Sequence, residues 1–175
     1  MRAIDPKIFK AYDIRAIYPD QMDEENIVSI IRAIYKFFQE KIDKKQLTIV
    51  LAYDMRLSGP QLFTDAKKTL VDVGANVIDC GKLSTPSFYF AASHYDYDCG
   101  IQITASHNPK EYNGMKFVIN TPHGLVKIGK STGMLEVQKM ALEGVELSID
   151  KQGTVTEKTG ILEDEVENAL KLFEY

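Results

Sequence analysis

The sequence predicts an α/β protein with a largely parallel sheet covered on both faces, and three observations carry that expectation. Short β-branched apolar runs alternate with amphipathic segments of helical length. One run, TIVLAY at residues 48–53, is continuously apolar, as a strand buried on both faces must be. A third apolar run breaks abruptly at residues 104–109, TASHNP, crowding a hydroxyl, an imidazole and an amide where a strand ends. Strand ends are where such sheets place their chemistry.

Taken in order, residues 23–42 repeat apolar side chains at Ile27, Ile30, Ile31, Ile34, Phe37 and Phe38, the spacing of an amphipathic helix with acids in its first turn. The strand at 48–53 follows. Ser58 is placed to cap a second helix, with Pro60 in its first turn and Gly74 to end it. Val77 and Ile78 make a short strand, and Thr85-Pro86 opens a third helix through Phe88, Phe90, Ala91 and Ala92. Strands at 101–104 and 115–119 flank the polar segment; the second is free to run antiparallel, because the loop between them holds no helix-length crossover. Another helix is expected from Gly129 to about Leu142.

After Gly144 the composition changes. Residues 145–160 are polar, without sustained period, and read as a linker. Helical spacing resumes at Ile161, Leu162, Val166, Ala169, Leu170 and Phe173, on a face with no partner in sequence. The expected organisation is therefore one domain over 1–143, then a linker and the cut-off start of a second domain over 144–175.

The 45% hydrophobic and 26% charged composition is that of an ordinary soluble globular protein, and a net charge of −4 gives no general surface for nucleic acid or membrane. An anionic ligand would need local cations, and the four arginines are Arg2, Arg15, Arg32 and Arg56. Arg32 falls on the polar side of a helix, whereas Arg15 and Arg56 sit in turn-like segments. Cys80 and Cys99 are too few for a disulfide scaffold or a zinc site. With no leader and no apolar run of membrane-spanning length, the expected location is cytoplasmic by default.

Ser106 is the residue to explain. A serine hydroxyl needs a base, a metal or a preorganised site to act as a nucleophile. The Gly-x-Ser-x-Gly elbow of hydrolases is absent, which argues against a serine esterase, and an ordinary Asn-Pro turn stays open as a reading. Residues 124–131, GLVKIGKS, match the spacing of a phosphate-binding G-x-x-x-x-G-K-[ST] loop, but Leu125-Val126-Lys127-Ile128 prefers an extended strand to a cradle. Near the N-terminus, Tyr12 and Arg15 lie before any expected regular element; Tyr12 suits packing, and Arg15 offers a planar fork to a phosphate. Asp54-x-Arg56-x-Ser58 forms another polar cluster, fitted either to helix capping and an Asp54–Arg56 contact or to ligand binding.

The pieces YDIR (12–15), DMRLSG (54–59), TASHNP (104–109) and YNGMK (112–116) occur together in this order. Over about the first 140 residues the chain resembles the first of four domains of the α-D-phosphohexomutases, the phosphomannomutase/phosphoglucomutase enzymes, and the YNG-x-K form resembles that branch more than the phosphoglucosamine one. The resemblance implies a three-layer α/β/α fold with a mixed, mostly parallel four-stranded sheet. It implies that Ser106 carries a phosphoryl group and exchanges it with a hexose phosphate through a bisphosphorylated intermediate, moving phosphate between C1 and C6. Arg15 and Lys116 would stabilise the transferring phosphate, and His107 and Asn108 would orient it and Ser106. Tyr12 would line the cleft, and Arg56 would support the serine loop or contact substrate. Mg²⁺ would contact the phosphate on Ser106, with its other ligands on an Asp-rich loop of a later domain, and a hexose 1,6-bisphosphate would act as activator. Partners would be a hexose phosphate and the remaining domains of the same enzyme.

Two departures stand out. Ala16 occupies a position where the family commonly has Gly, which would be strained if positive φ were required, and the chain has no Asp-x-Asp-x-Asp run. The isolated chain is therefore expected to have little turnover. A non-catalytic phosphosugar-binding or regulatory module is the alternative, and a nucleotide-binding loop around Lys130 comes third.

Overall fold

The computed structural model describes residues 3–171, so Arg2 and Phe173 lie outside the described residues. After a single 3-10 turn (Pro6–Ile8) the elements are β1 (Ile14–Ile17), α1 (Asn26–Ile42), β2 (Thr48–Tyr53), α2 (Gly59–Asp72), β3 (Asn76–Lys82), α3 (Thr85–His94), β4 (Cys99–Ile103), β5 (Tyr112–Thr121), β6 (Gly124–Lys127), α4 (Met134–Glu143), β7 (Val155–Glu157) and α5 (Ile161–Lys171).

Side chains of β2 part by alternation. Ile49 and Leu51 join a core with Ile27, Ile34, Phe38 and Leu62 under α1, α2 and α4, while Val50 and Ala52 join a second core with Phe88, Ala91 and Val118 under α3. A strand buried on both faces must be apolar throughout, which is why TIVLAY carries no alternation of polarity. The result is a three-layer α/β/α arrangement, with α1, α2 and α4 on one face and α3 and α5 on the other.

The sheet corrects the four-stranded, mostly parallel expectation. Among the described residues it has seven strands in the order β1-β5-β4-β2-β3-β7, with β6 also on β5. β4-β2, β2-β3 and β3-β7 are parallel, whereas β1-β5, β4-β5 and β5-β6 are antiparallel. The physical reason is twofold. β4 and β5 are joined by the 104–111 loop, too short for a crossover. The strands missed, β1, β6 and β7, are short edge pieces with at most half their residues buried, so no continuous apolar run marks them. β7 lies within the stretch read as a linker and docks on β3, pairing Val77 with Val155.

Other boundaries moved for local reasons. α2 begins at Gly59, but Ser58 makes no capping hydrogen bond; its Oγ instead accepts from Asn113 Nδ2 at 2.8 Å. α4 starts at Met134 rather than at Gly129, because Gly133 before it has a φ of +129°, which no α-helix accommodates. In α5, Ile161 is buried, whereas Leu162, Val166 and Leu170 are exposed. No described helix is long and apolar enough to cross a membrane.

Candidate active site

The site lies at the C-terminal ends of β2 and β4, where the 54–58 and 104–111 loops meet the start of β5 and the edge strand β1. Ser106 is exposed and its φ is +54°, a left-handed backbone that few non-glycine residues adopt. The segment before it is tied down. Thr104 N–H donates to the Gly114 carbonyl at 2.9 Å, and Thr104 Oγ1 donates to Asp54 Oδ2 at 2.6 Å while accepting the Ser106 N–H at 2.9 Å.

Arg56 holds the far side of the loop. Its Nη1 donates to the carbonyls of Pro109 and Tyr112, both at 2.7 Å, and its Nη2 to those of Ser106 at 2.9 Å and Asn108 at 2.7 Å. All four Nη hydrogens are thereby used on backbone, and Nε is buried without a hydrogen-bond partner, 3.5 Å from Asp54 Oδ2. A guanidinium committed in this way supports the serine loop and has no Nη donor left for a substrate.

Arg15 and Lys116 converge on one acid. Asp13 accepts from Arg15 Nε at 3.0 Å through both carboxylate oxygens, and its Oδ2 also accepts from Arg15 Nη2 at 2.9 Å and from Lys116 Nζ at 3.0 Å. Arg15 Nη1 donates to Asn108 Oδ1 in a short contact, which links this charge cluster to the serine loop. The β1-β5 register brings the two cations together by setting Arg15 opposite Gly114, two residues before Lys116. That pairing needs glycine: a Cβ at Gly114 would lie 1.8 Å from the Ile14 carbonyl oxygen. His107 is exposed, with Nδ1 3.4 Å from Ser106 Oγ, and Tyr12 is 79% exposed beside the cluster.

The structure thus brings together Ser106, His107, Asn108, Arg15, Lys116 and Arg56, with Tyr12 at the margin. Sequence reasoning missed Asp13 and Thr104. Both stood inside quoted motifs, but a residue whose work is to hold its neighbours shows no separate signal. Ala16 is a buried strand residue outside the positive-φ set, so the departure from Gly brings no strain there. The GLVKIGKS segment is not a phosphate cradle. Its first half is β6, and the Lys130 N–H donates to the Ala11 carbonyl at 2.8 Å, so this segment anchors the arm that carries Tyr12.

The sequence and the fold both have counterparts among known proteins. The profile of "Phosphoglucomutase/phosphomannomutase, alpha/beta/alpha domain I" matches residues 6–131, more than half of the chain. A phosphomannomutase of Vibrio cholerae is 35% identical over 162 residues, covering 93% of this chain and 34% of its own length. A phosphoglucomutase of Neisseria gonorrhoeae is 36% identical over 174 residues, covering 98% and 36% respectively. Among solved structures, a phosphoglucomutase/phosphomannomutase family protein from Burkholderia thailandensis superposes with a TM-score of 0.80 at 30% identity, over 96% of this chain and 36% of that one. The chain belongs to the phosphoglucomutase/phosphomannomutase family and has the fold of its first domain. It spans about a third of the length of these relatives.

Proposed function

We propose that this chain is the phosphoserine-bearing first domain of a phosphohexomutase that interconverts hexose 1-phosphate and hexose 6-phosphate, of mannose or glucose, through a bisphosphorylated sugar. The observation that carries the reading is Ser106: an exposed hydroxyl on a backbone clamped at positive φ, in a loop that Arg15, one of two cations fixed on Asp13, joins through Asn108. Phosphoryl transfer is mainly positioning and charge neutralisation, and this site supplies both. Residues 144–175 lead, in the same proposal, toward a second domain.

In the forward half-reaction a sugar hydroxyl oxygen attacks the phosphorus on Ser106. A new P–O bond forms to the sugar, the bond to Ser106 Oγ breaks, and the sugar proton leaves to water or to a base of the remaining protein. Ser106 Oγ regains a proton as it departs, and His107 Nδ1 is the adjacent ring nitrogen. Arg15 and Lys116 offset the charge on the equatorial oxygens. Reorientation of the bisphosphate and the reverse transfer restore the phosphoserine. Mg²⁺ belongs to the proposal, but among the described residues no group of three or more His, Cys, Asp or Glu is placed to hold a metal. This chain would contribute the phosphate on Ser106, where the ion would add to charge neutralisation.

Incubation with ³²P-labelled glucose 1,6-bisphosphate tests the reading. Label on the Ser106 peptide, absent in Ser106→Ala, is the expected result. Saturable binding of the bisphosphate without label would replace it with a phosphosugar-binding module. Reading the coding message past the codon for Tyr175 gives an independent check: continuation into an Asp-x-Asp-x-Asp segment is expected.

A further inference from the structure

Among the described residues Asp13 is the one buried acid of the site, with its side chain only 5% exposed and two cations against it. A carboxylate so withdrawn from water is tolerable only when its oxygens are satisfied, and here both are: Oδ1 by Arg15, Oδ2 by Arg15 and Lys116. Its backbone is equally fixed, since the Asp13 carbonyl accepts from Lys10 N–H at 2.8 Å and β1 begins at the next residue. Because Arg15 docks on Asp13 through Nε and Nη2, its Nη1 is directed at the serine loop, where it meets Asn108. One carboxylate against two cations leaves a surplus positive charge at fixed points, suited to a phosphoserine carrying about −1.5 to −2.

We infer that Asp13 is a positioning residue, holding Arg15 and Lys116 through one buried carboxylate at set points toward the phosphoryl group on Ser106. The inference rests on the reading of Ser106 as phosphoryl carrier. Charged and titratable groups of the site include Asp13, Arg15, Lys116, His107, Asp54 and Arg56, the last two bonded to each other and to other groups of the loops, with Lys110 and Glu111 in the same loop as the serine and Tyr89 of α3 within reach of the Asp13 charge.

The test places phosphoserine at position 106 of the whole chain by amber-codon incorporation and follows its second ionisation by ³¹P NMR. Charge alone and positioning predict opposite signs. Asp13→Asn removes a negative neighbour, which by charge alone lowers the pKa of the phosphate. If Asp13 positions the cations, the variant releases them to solvent and the pKa rises, by about one pH unit, toward the value of about 6 of a free phosphoserine. A rise supports the inference; a fall, no change, or a parent value equal to that of a phosphoserine peptide overturns it. Should Asp13→Asn not fold, the parent protein still decides: the Arg15 Nε–H proton is expected to stay protected from exchange with Ser106 phosphorylated, and free exchange overturns the inference. Failure of the underlying mutase reading shows separately, as no transfer from glucose 1,6-bisphosphate to Ser106, because here the phosphate is installed during synthesis.

Discussion

A non-glycine residue in a sparsely populated backbone region costs about 1–3 kcal/mol, and at Ser106 that cost is met by bonds from three directions. Thr104 Oγ1 takes its N–H, Arg56 takes its carbonyl, and the carbonyl of Ala105 accepts from Asn108 N–H at 3.1 Å to close the turn. Arg56→Lys keeps the charge but loses the planar fork, so most of the four carbonyl bonds go. The expected result is about 2 kcal/mol of lost stability in urea unfolding and about a tenfold slower labelling of Ser106. Labelling at the parent rate would show that the clamp has no part in transfer. Gly114→Ala forces a Cβ onto the Ile14 carbonyl, and about 3 kcal/mol of destabilisation is expected, with faster amide exchange in β1. The serine and its flanking cations were legible as residue types in motifs. Asp13 was not, because its part depends on a register that sets β1 against β5.

Among the elements, α1 and β2 follow directly from period: seventeen residues with one apolar stripe, and six without a polar break. Edge strands are different, since one exposed margin removes the pattern that reveals a strand. Helix α5 is held to α3 by Ile161 and by a polar knot in which Tyr95 Oη donates to Asp164 and Lys158 Nζ lies 3.3 Å from the same carboxylate. The hydrogen bond from Tyr95, then Lys158, holds the Asp164 carboxyl below its ordinary value. A depressed folded pKa means that the contribution is complete above the unfolded value, about 3.9, and disappears as pH falls through the folded one. Amides of α5 are therefore expected to exchange faster in Asp164→Asn than in the parent chain at neutral pH, with the difference vanishing at acid pH. A difference that persists in acid would refute this account of the knot.

For the whole molecule, the two cores on either side of the sheet bury both cysteines. Burial, with Asp79 adding to it, pushes the Cys80 thiol up to about 12, and burial also raises Cys99. Both should resist iodoacetamide at neutral pH until the fold is opened by denaturant, a check on sheet integrity that is independent of the site. Because the chain spans about a third of its relatives' length, slow or no conversion of glucose 1-phosphate to glucose 6-phosphate is expected of it alone. Steady turnover would show that the described loops suffice for reorientation of the intermediate.

The sequence by itself determined the α/β class, the central helices and strands, the family and the serine at the strand end, because periodicity and short motifs are local properties of the chain. Tertiary structure decided the mixed sheet, with its added edge strands, the use of GLVKIGKS as an anchor, the commitment of Arg56 to backbone, and the meeting of Arg15 and Lys116 on Asp13. Each of those depends on which strand edges pair and in what register, and pairing between segments as far apart as Asp13 and Lys116 leaves no local period to read.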